Sequence, residues 1–260
     1  MRSPFRYAFC TTLLSMIYVI CCGIRRSGST LNYKLVRAII EESGVREDYR
    51  TVKTHRPTEE VKWILHHHPC KVVFTYRDLR DVVSSDRNLF RLPRSFVRLA
   101  MMHVVSDSIK DSIYWGTLSD VLFERYESFS RDLEGAVHRL AHYLSIELSE
   151  NKIKNIAATH EINVQKALIG LRHSEDRSMN GFDPALGYFK EHIRQGEIGR
   201  WKEDLSRLET AWIESVGCEW LRDRGYVLIT GRYERMIARA LGTPSQIVSH
   251  LCRGAKRLSR

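Results

Sequence analysis

The stretch YVICCGIRRSGST, residues 18–30, decides the fold. Tyr18 to Cys22 form an apolar run, which reads as a buried strand. The loop from Gly23 to Thr30 then fits the frame G-x-x-x-x-G-x-[ST]. Residues 31–43, LNYKLVRAIIEES, place Leu31, Leu35 and Ile39 at helical spacing, and Gly44 stops the helix. A strand, a loop of glycines and hydroxyls and a helix start make a seat for phosphate or sulfate, because loop amides and the helix N-terminus point at the anion. The lysine that nucleotide-hydrolysing loops hold near the β- and γ-phosphates is missing, with Ser29 in its place; Arg25 and Arg26 supply charge from inside the loop instead. Taken alone, the motif also fits a Ser/Gly turn that caps a helix. Upstream, residues 8–22 are mostly apolar and follow Arg2 and Arg6, the pattern of a leader peptide. The run falls short of the ~18 apolar residues of a membrane span, and the anion loop needs a strand directly before it, so a core strand at 17–22 is the better reading.

Working outward, Tyr49–Lys53, Lys71–Tyr76 and Val121–Tyr126 read as further strands, the second apolar throughout, as in a parallel strand buried on both faces. Pro57 with Glu59 and Glu60 opens a helix. Helical patterns cover 94–115 and 131–144, and return after 200 with Leu205, Leu208, Trp212, Val216 and Trp220. Alternating strands and helices predict an α/β domain of three layers around a central parallel sheet, with ligands at the carboxyl ends of the strands. Two more motifs lie at such ends. In Lys53-Thr-His55, side chains two apart on a strand face one way, so His55 could accept a proton where Lys53 stabilises negative charge; a structural strand-end histidine is the plainer reading. In the run YRDLRDVVSS, residues 76–85, Arg77 and Ser85 can reach a second phosphate, Arg77 by a bidentate fork.

The composition is that of an ordinary globular chain, with 43% hydrophobic and 28% charged residues, and the net charge is +10. Seven Arg or Lys against one Glu place +6 of that charge in residues 231–260. This divides the chain into a domain over 1–230 and a basic C-terminal appendage over 231–260. The tail reads either as a weak contact for anionic membrane or as a solubilising extension; no nucleic-acid partner is expected. Six cysteines without a CxxC imply a reducing, cytoplasmic setting with no disulfide framework. His66, His67 and His68 are adjacent in sequence and cannot easily converge on one tetrahedral ion, so they read as a polar helix end, and no metal site is expected. Arg87, Arg91, Arg94 and Arg98 fall at the spacing of one helix face, either solvated or turned to an acidic acceptor.

Together the three motifs resemble the sulfotransferase family that uses 3′-phosphoadenosine 5′-phosphosulfate (PAPS). Its loop of the type (K/R)-S-G-(T/S)-T, its K-T-H and its R-(D/N)-x-(R/K)-D-x-x-x-S run appear here as Arg26 to Thr30, Lys53 to His55 and Arg77 to Ser85. Arg125-Tyr126-Glu127 is similar to the family's strand end near the adenine, and the stretch from Arg194 to Lys202 resembles its late glycine loop. The resemblance spans about residues 17–228. It implies a P-loop-like sulfotransferase fold, PAPS as co-substrate, PAP as product, and sulfuryl transfer to a hydroxyl or amine of a small-molecule or glycan acceptor without a metal. It further implies that Arg26, Ser27, Gly28, Ser29 and Thr30, with Arg25 beside them, hold the 5′-phosphosulfate. Arg77, Ser85, Arg194 and Gly196 would hold the 3′-phosphate, and Tyr126 would lie near the adenine. His55 would be the general base, with Lys53 and Arg26 at the bridging oxygen. Glycan-modifying relatives use a carboxylate as base, which keeps Glu59 and Glu60 open. Leu31 and Gln195 stand where the family often has Trp and Lys. A nucleotide or small-molecule kinase would need the absent lysine, and a non-catalytic binding relative would lack Lys53 or His55, which are both present.

Overall fold

The computed structural model describes residues 16–90, 94–175, 182–183, 188–189 and 196–241. Residues 8–15 of the apolar stretch, Arg194, Gln195, Cys10, Cys252 and the tail beyond 241 lie outside the described residues.

Four strands, β1 (Ile17–Gly23), β2 (Tyr49–Lys53), β3 (Cys70–Tyr76) and β4 (Val121–Arg125), form a parallel sheet in the order β2-β1-β3-β4. Parallel neighbours need crossovers, and α1 (Ser29–Ser43), α2 (Glu59–His67), α3 (Leu79–Phe90) and α4 (Arg94–Gly116) supply them. Residues of β1 alternate between two cores. Ile20 and Cys22 pack with Val61, Phe74, Leu79, Val105 and Trp115 under α2, α3 and α4. Val19 and Cys21 pack with Leu35, Ile39, Val73, Val137 and Leu140 under α1 and α6 (Leu133–Leu144). Helix, sheet and helix are therefore stacked in three layers, as the alternating pattern predicts. Tyr126 leaves the fourth strand to open the short α5 (Tyr126–Phe129).

Local chemistry sets the helix ends. Gly44 closes α1 in the left-handed region, at φ 79°. Thr58 caps α2 by accepting from the Val61 amide, with Glu59 and Glu60 in the first turn. His67 stacks on Trp63 with ring centroids 4.6 Å apart, while His68 packs on Tyr18 at 4.7 Å, so these imidazoles serve a helix end. Two helices were not expected from the sequence: α7 (Glu150–His160) and α8 (Ile162–Glu175). The strands β5 (Phe182–Asp183) and β6 (Tyr188–Phe189) pair antiparallel.

The periodic stretch after residue 200 is three short helices, α9 (Trp201–Asp204), α10 (Arg207–Val216) and α11 (Cys218–Asp223). Ser206 starts α10 with a capping box to Glu209, and Leu208 of the expected apolar face is exposed. Of the arginine face expected over 87–98, Arg91 lies outside the described residues, and Arg87 donates to the Asp204 carbonyl at 2.8 Å. Finally, α12 covers residues 232–241. Among the described residues, no helix is long and apolar enough to cross a membrane.

Candidate active site

The carboxyl ends of β1, β2, β3 and β4 lie at one edge of the sheet, and the anion loop runs from β1 to α1 across it. Gly23 is required by sterics: a Cβ there would fall 2.1 Å from Thr75 Oγ1 and 2.6 Å from the Thr75 carbonyl oxygen. Ser27 turns its hydroxyl inward, within 2.6 Å of the Ile24 carbonyl oxygen and 2.7 Å of Thr75 Oγ1, which fastens the loop to β3. Arg26 adopts φ 62°, a left-handed conformation uncommon for a residue with a side chain. Gly28 precedes α1 at φ 78°, where a Cβ would meet Phe129 and Tyr126 within 2.8 Å. With Gly28 as N-cap there is no side-chain cap, and the first turn holds no acidic residue. The unsatisfied amides of that turn and the positive end of the helix dipole thus face a cavity.

That cavity has a volume of about 770 Å³. Its walls include Arg25, Arg26, Gly28, Ser29, Thr30, His55, Arg77, Ser85, Tyr126 and Gly196. Of the site residues named from the sequence, Ser27 and Lys53 stand behind the wall, and Arg194 lies outside the described residues. Arg26 Nε donates to Ser85 Oγ at 2.9 Å, joining the loop after β1 to α3. Arg77, at the end of β3, is buried. Its Nη1 donates to the Arg26 carbonyl at 3.3 Å and its Nη2 to the Glu197 carbonyl at 2.5 Å. The guanidinium lies 4.4 Å over the Tyr126 ring, and the Tyr126 hydroxyl donates to the Gly196 carbonyl at 3.2 Å. Nε of Arg77 is buried with no partner.

The K-T-H residues sit against the same loop. Lys53 Nζ donates to Thr30 Oγ1 at 2.5 Å, and its pKa lies below the usual lysine value because the amine is partly desolvated. His55 Nδ1 is 2.9 Å from the Gly23 carbonyl oxygen. A carbonyl only accepts, so Nδ1 carries the proton and Nε2 keeps its lone pair in the neutral ring. Burial lowers the His55 pKa below 6.5, and the charges of Lys53, Arg25 and Arg56 push the same way, against the bond to Gly23. Glu59 pairs with Lys62 at 2.7 Å on the exposed first turn of α2, and neither it nor Glu60 lines the cavity.

Asp81 stands out among the residues that sequence reasoning left without a role. It is buried, accepts from the Gly199 amide at 2.8 Å and the Trp201 amide at 3.1 Å, and lies 3.7 Å from Arg77 Nη2. Burial nevertheless raises its pKa above the ordinary aspartate value. The spacing of four from Arg77 was the available signal. The far wall, with His160, Ile162 and Gln165 from α7 and α8, carried none, because its pattern matches no motif.

The sulfotransferase domain family matches residues 44–225, most of the chain, starting after the anion loop. Cytosolic sulfotransferase 3 of Arabidopsis thaliana is 27% identical over 197 residues, which is 67% of this chain and 60% of that protein. The amine sulfotransferase of Oryctolagus cuniculus is 22% identical over 222 residues, 74% of this chain and 67% of the relative. The aligned regions thus span only 60% of cytosolic sulfotransferase 3 and 52% of cytosolic sulfotransferase 1 from the same plant. Among solved structures, retinol dehydratase in a complex with retinol and PAP superposes with a TM-score of 0.57 at 20% identity, covering 80% of this chain and 81% of that one. A mouse sulfotransferase complexed with PAP gives 0.57 at 15% identity, covering 81% and 85%. These two likenesses concern the fold. With the domain match over residues 44–225, they accompany a plain conclusion: this chain belongs to the sulfotransferase family.

Proposed function

We propose that the chain is an enzyme that transfers the sulfuryl group of PAPS to a hydroxyl or amine of a small-molecule acceptor, in the cytoplasm. One observation carries this reading: Arg26 and Arg77, from loops after adjacent strands, line a single cavity into which the uncapped start of α1 also opens. The residues suit a nucleotide with phosphates at both ends. The first-turn amides of α1, with Arg25, Arg26, Gly28, Ser29 and Thr30, form the seat for the phosphosulfate. Ser27 contributes by fixing the loop. Arg77, whose buried Nε still lacks a partner, and Ser85 form the seat for the 3′-phosphate, with Gly196 near it and Tyr126 beside the adenine; Arg194, outside the described residues, is assigned to the same phosphate by the family resemblance alone. The cavity volume falls within the ~300–1,000 Å³ of small-molecule sites. Retinol and an amine in the names of two relatives support a small acceptor.

The donor supplies an activated sulfur, at which the acceptor atom forms a bond as the bond to the bridging oxygen breaks. His55 takes the acceptor proton on Nε2, and its lowered pKa keeps that nitrogen free at neutral pH. Arg26 in the wall would stabilise the oxygen that gains charge, with the Lys53 amine adding positive charge from behind through its bond to Thr30. Glu59 is engaged with Lys62, which supports His55 as the base.

Calorimetry with PAP tests the assignment. The expected result is micromolar binding without magnesium, weakened roughly 100-fold in Arg77→Ala and less in Ser85→Ala, because a buried forked contact outweighs a hydroxyl. Absence of binding at millimolar PAP overturns the proposal. In His55→Ala, PAP affinity should survive while turnover on phenol, alcohol and amine acceptors is lost; intact turnover moves the base elsewhere.

A further inference from the structure

The +6 charge of residues 231–260 has a folded starting point, α12. Its inner side is fastened to the body: Ala238 is buried, Arg207 grips Glu234 at 2.8 and 2.9 Å, and Arg235 donates to the Thr230 carbonyl. Its outer side is apolar. Tyr233, Met236, Ile237 and Leu241, at spacings of three, four and eight from the first, form one stripe in which every side chain is more than half exposed. Such a stripe on the face of a folded domain is a binding surface in want of an occupant.

We infer that the outer face of α12 docks onto an anionic lipid surface, lying in the interface with its stripe among the acyl chains. Arg232 and Arg239, seven apart, lie exposed along one border of the stripe, and Glu234 on the other border, the one acid of the helix, is held by Arg207. Residues 242–260 add Arg253, Lys256, Arg257 and Arg260 with no Asp or Glu. An apolar stripe with cations along one edge matches the bilayer boundary, where headgroup charge lies just outside hydrocarbon. A nucleic acid would use the arginines but leave Met236 and Ile237 without a counterpart. A symmetric pairing with a second copy would bring the two arginine borders toward each other. Ala238 and Glu234 tie one side of the helix to the body, so it lies on the membrane and does not cross it. The inference is independent of the sulfuryl-transfer reading, since α12 contributes nothing to the cavity wall.

The experiment is co-sedimentation of the full chain with vesicles of phosphatidylcholine alone, or with about one-third phosphatidylserine. The chain should bind the anionic vesicles, and added salt should weaken binding. Ile237→Glu and Met236→Gln should each weaken it about tenfold or more, and Met236→Leu should not, since burial of the stripe supplies the apolar half of the affinity. Circular dichroism and the Tm of each variant report folding and should be unchanged. Binding unaffected by Ile237→Glu and Met236→Gln, yet abolished by neutralising Arg253, Lys256, Arg257 and Arg260 to Gln, would place the contact in the tail and overturn the inference. A lipid-free dimer in light scattering that Ile237→Glu converts to monomer would also overturn it, assigning the stripe to a second copy.

Discussion

At His55, one ring nitrogen is committed to the Gly23 carbonyl and the other is left for chemistry, so tautomer and position are set by the same bond. The pH behaviour follows from the direction of the shift. The ring must be neutral to accept a proton, and its folded pKa lies below the ordinary 6.5. The acid limb of kcat/KM should therefore fall below pH 6.5, and Lys53→Met should move it upward, because that amine repels the imidazolium. A limb that stays in place in Lys53→Met would count against this electrostatic coupling. Stability has the same sign: the unfolded ring takes up a proton first, so stability is full above about pH 6.5 and declines as pH falls through the folded pKa. Arg26 shows strain of the kind that collects at functional sites. A positive φ costs about 1 kcal/mol, and here it accompanies a carbonyl turned to Arg77 and a side chain turned to Ser85.

Between elements, Asp81 couples α3 to the loop that leads into α9. Its two backbone partners are Gly199 of the late loop and Trp201, the first residue of α9, and its neighbour Arg77 reaches Glu197 of the same loop. Asp81→Asn keeps the size but replaces one acceptor oxygen by a donor. PAP affinity should drop about tenfold, and the Gly199 and Trp201 amides should exchange with solvent faster while the amides of β1 and β3 keep their protection. Uniform protection in the variant would reduce Asp81 to an ordinary buried acid. Strands and the first helices were legible because each carries its own mark, such as the apolar run at 71–76, the stop at Gly44 and the start at Pro57. The stretch from Leu205 to Trp220 misled because its apolar residues recur near helical spacing across the Ser206 cap and the Gly217 break, and spacing alone does not register a cap in its midst. Helices α7 and α8 went unseen because a mixed polar pattern there is helical by tertiary packing, as in Ile153 and Ile156 against α1.

Over the whole molecule, long-range polar contacts hold the C-terminal segment to the start of α3. Buried Glu214 accepts from Arg80 at 2.7 Å and from the amides of Ile229 and Thr230, while Arg80 also grips Asp78 and lies 4.1 Å over Trp201. Glu214→Ala removes one of the acceptors of Arg80, which Asp78 and the Val227 carbonyl still hold, and leaves the buried Thr230 amide without its acceptor. It should cost about 2–3 kcal/mol, a fall in Tm of roughly 4–12 °C by circular dichroism. A fall of only a degree or two would mean that the network is incidental. No sequence signal pairs residue 80 with residue 214, since such contacts depend on how layers stack. The parallel run of the sheet, by contrast, was legible from strands that alternate with helices. Arg77 draws carbonyls from residues 26 and 197 toward one guanidinium, and those residues come together only in the finished fold. The cleft is thereby already spaced for its guest, whose arrival exchanges one set of acceptors for another instead of ordering a slack loop. Capture should accordingly be fast and little dependent on conformational search, leaving affinity to be set by how slowly the guest departs.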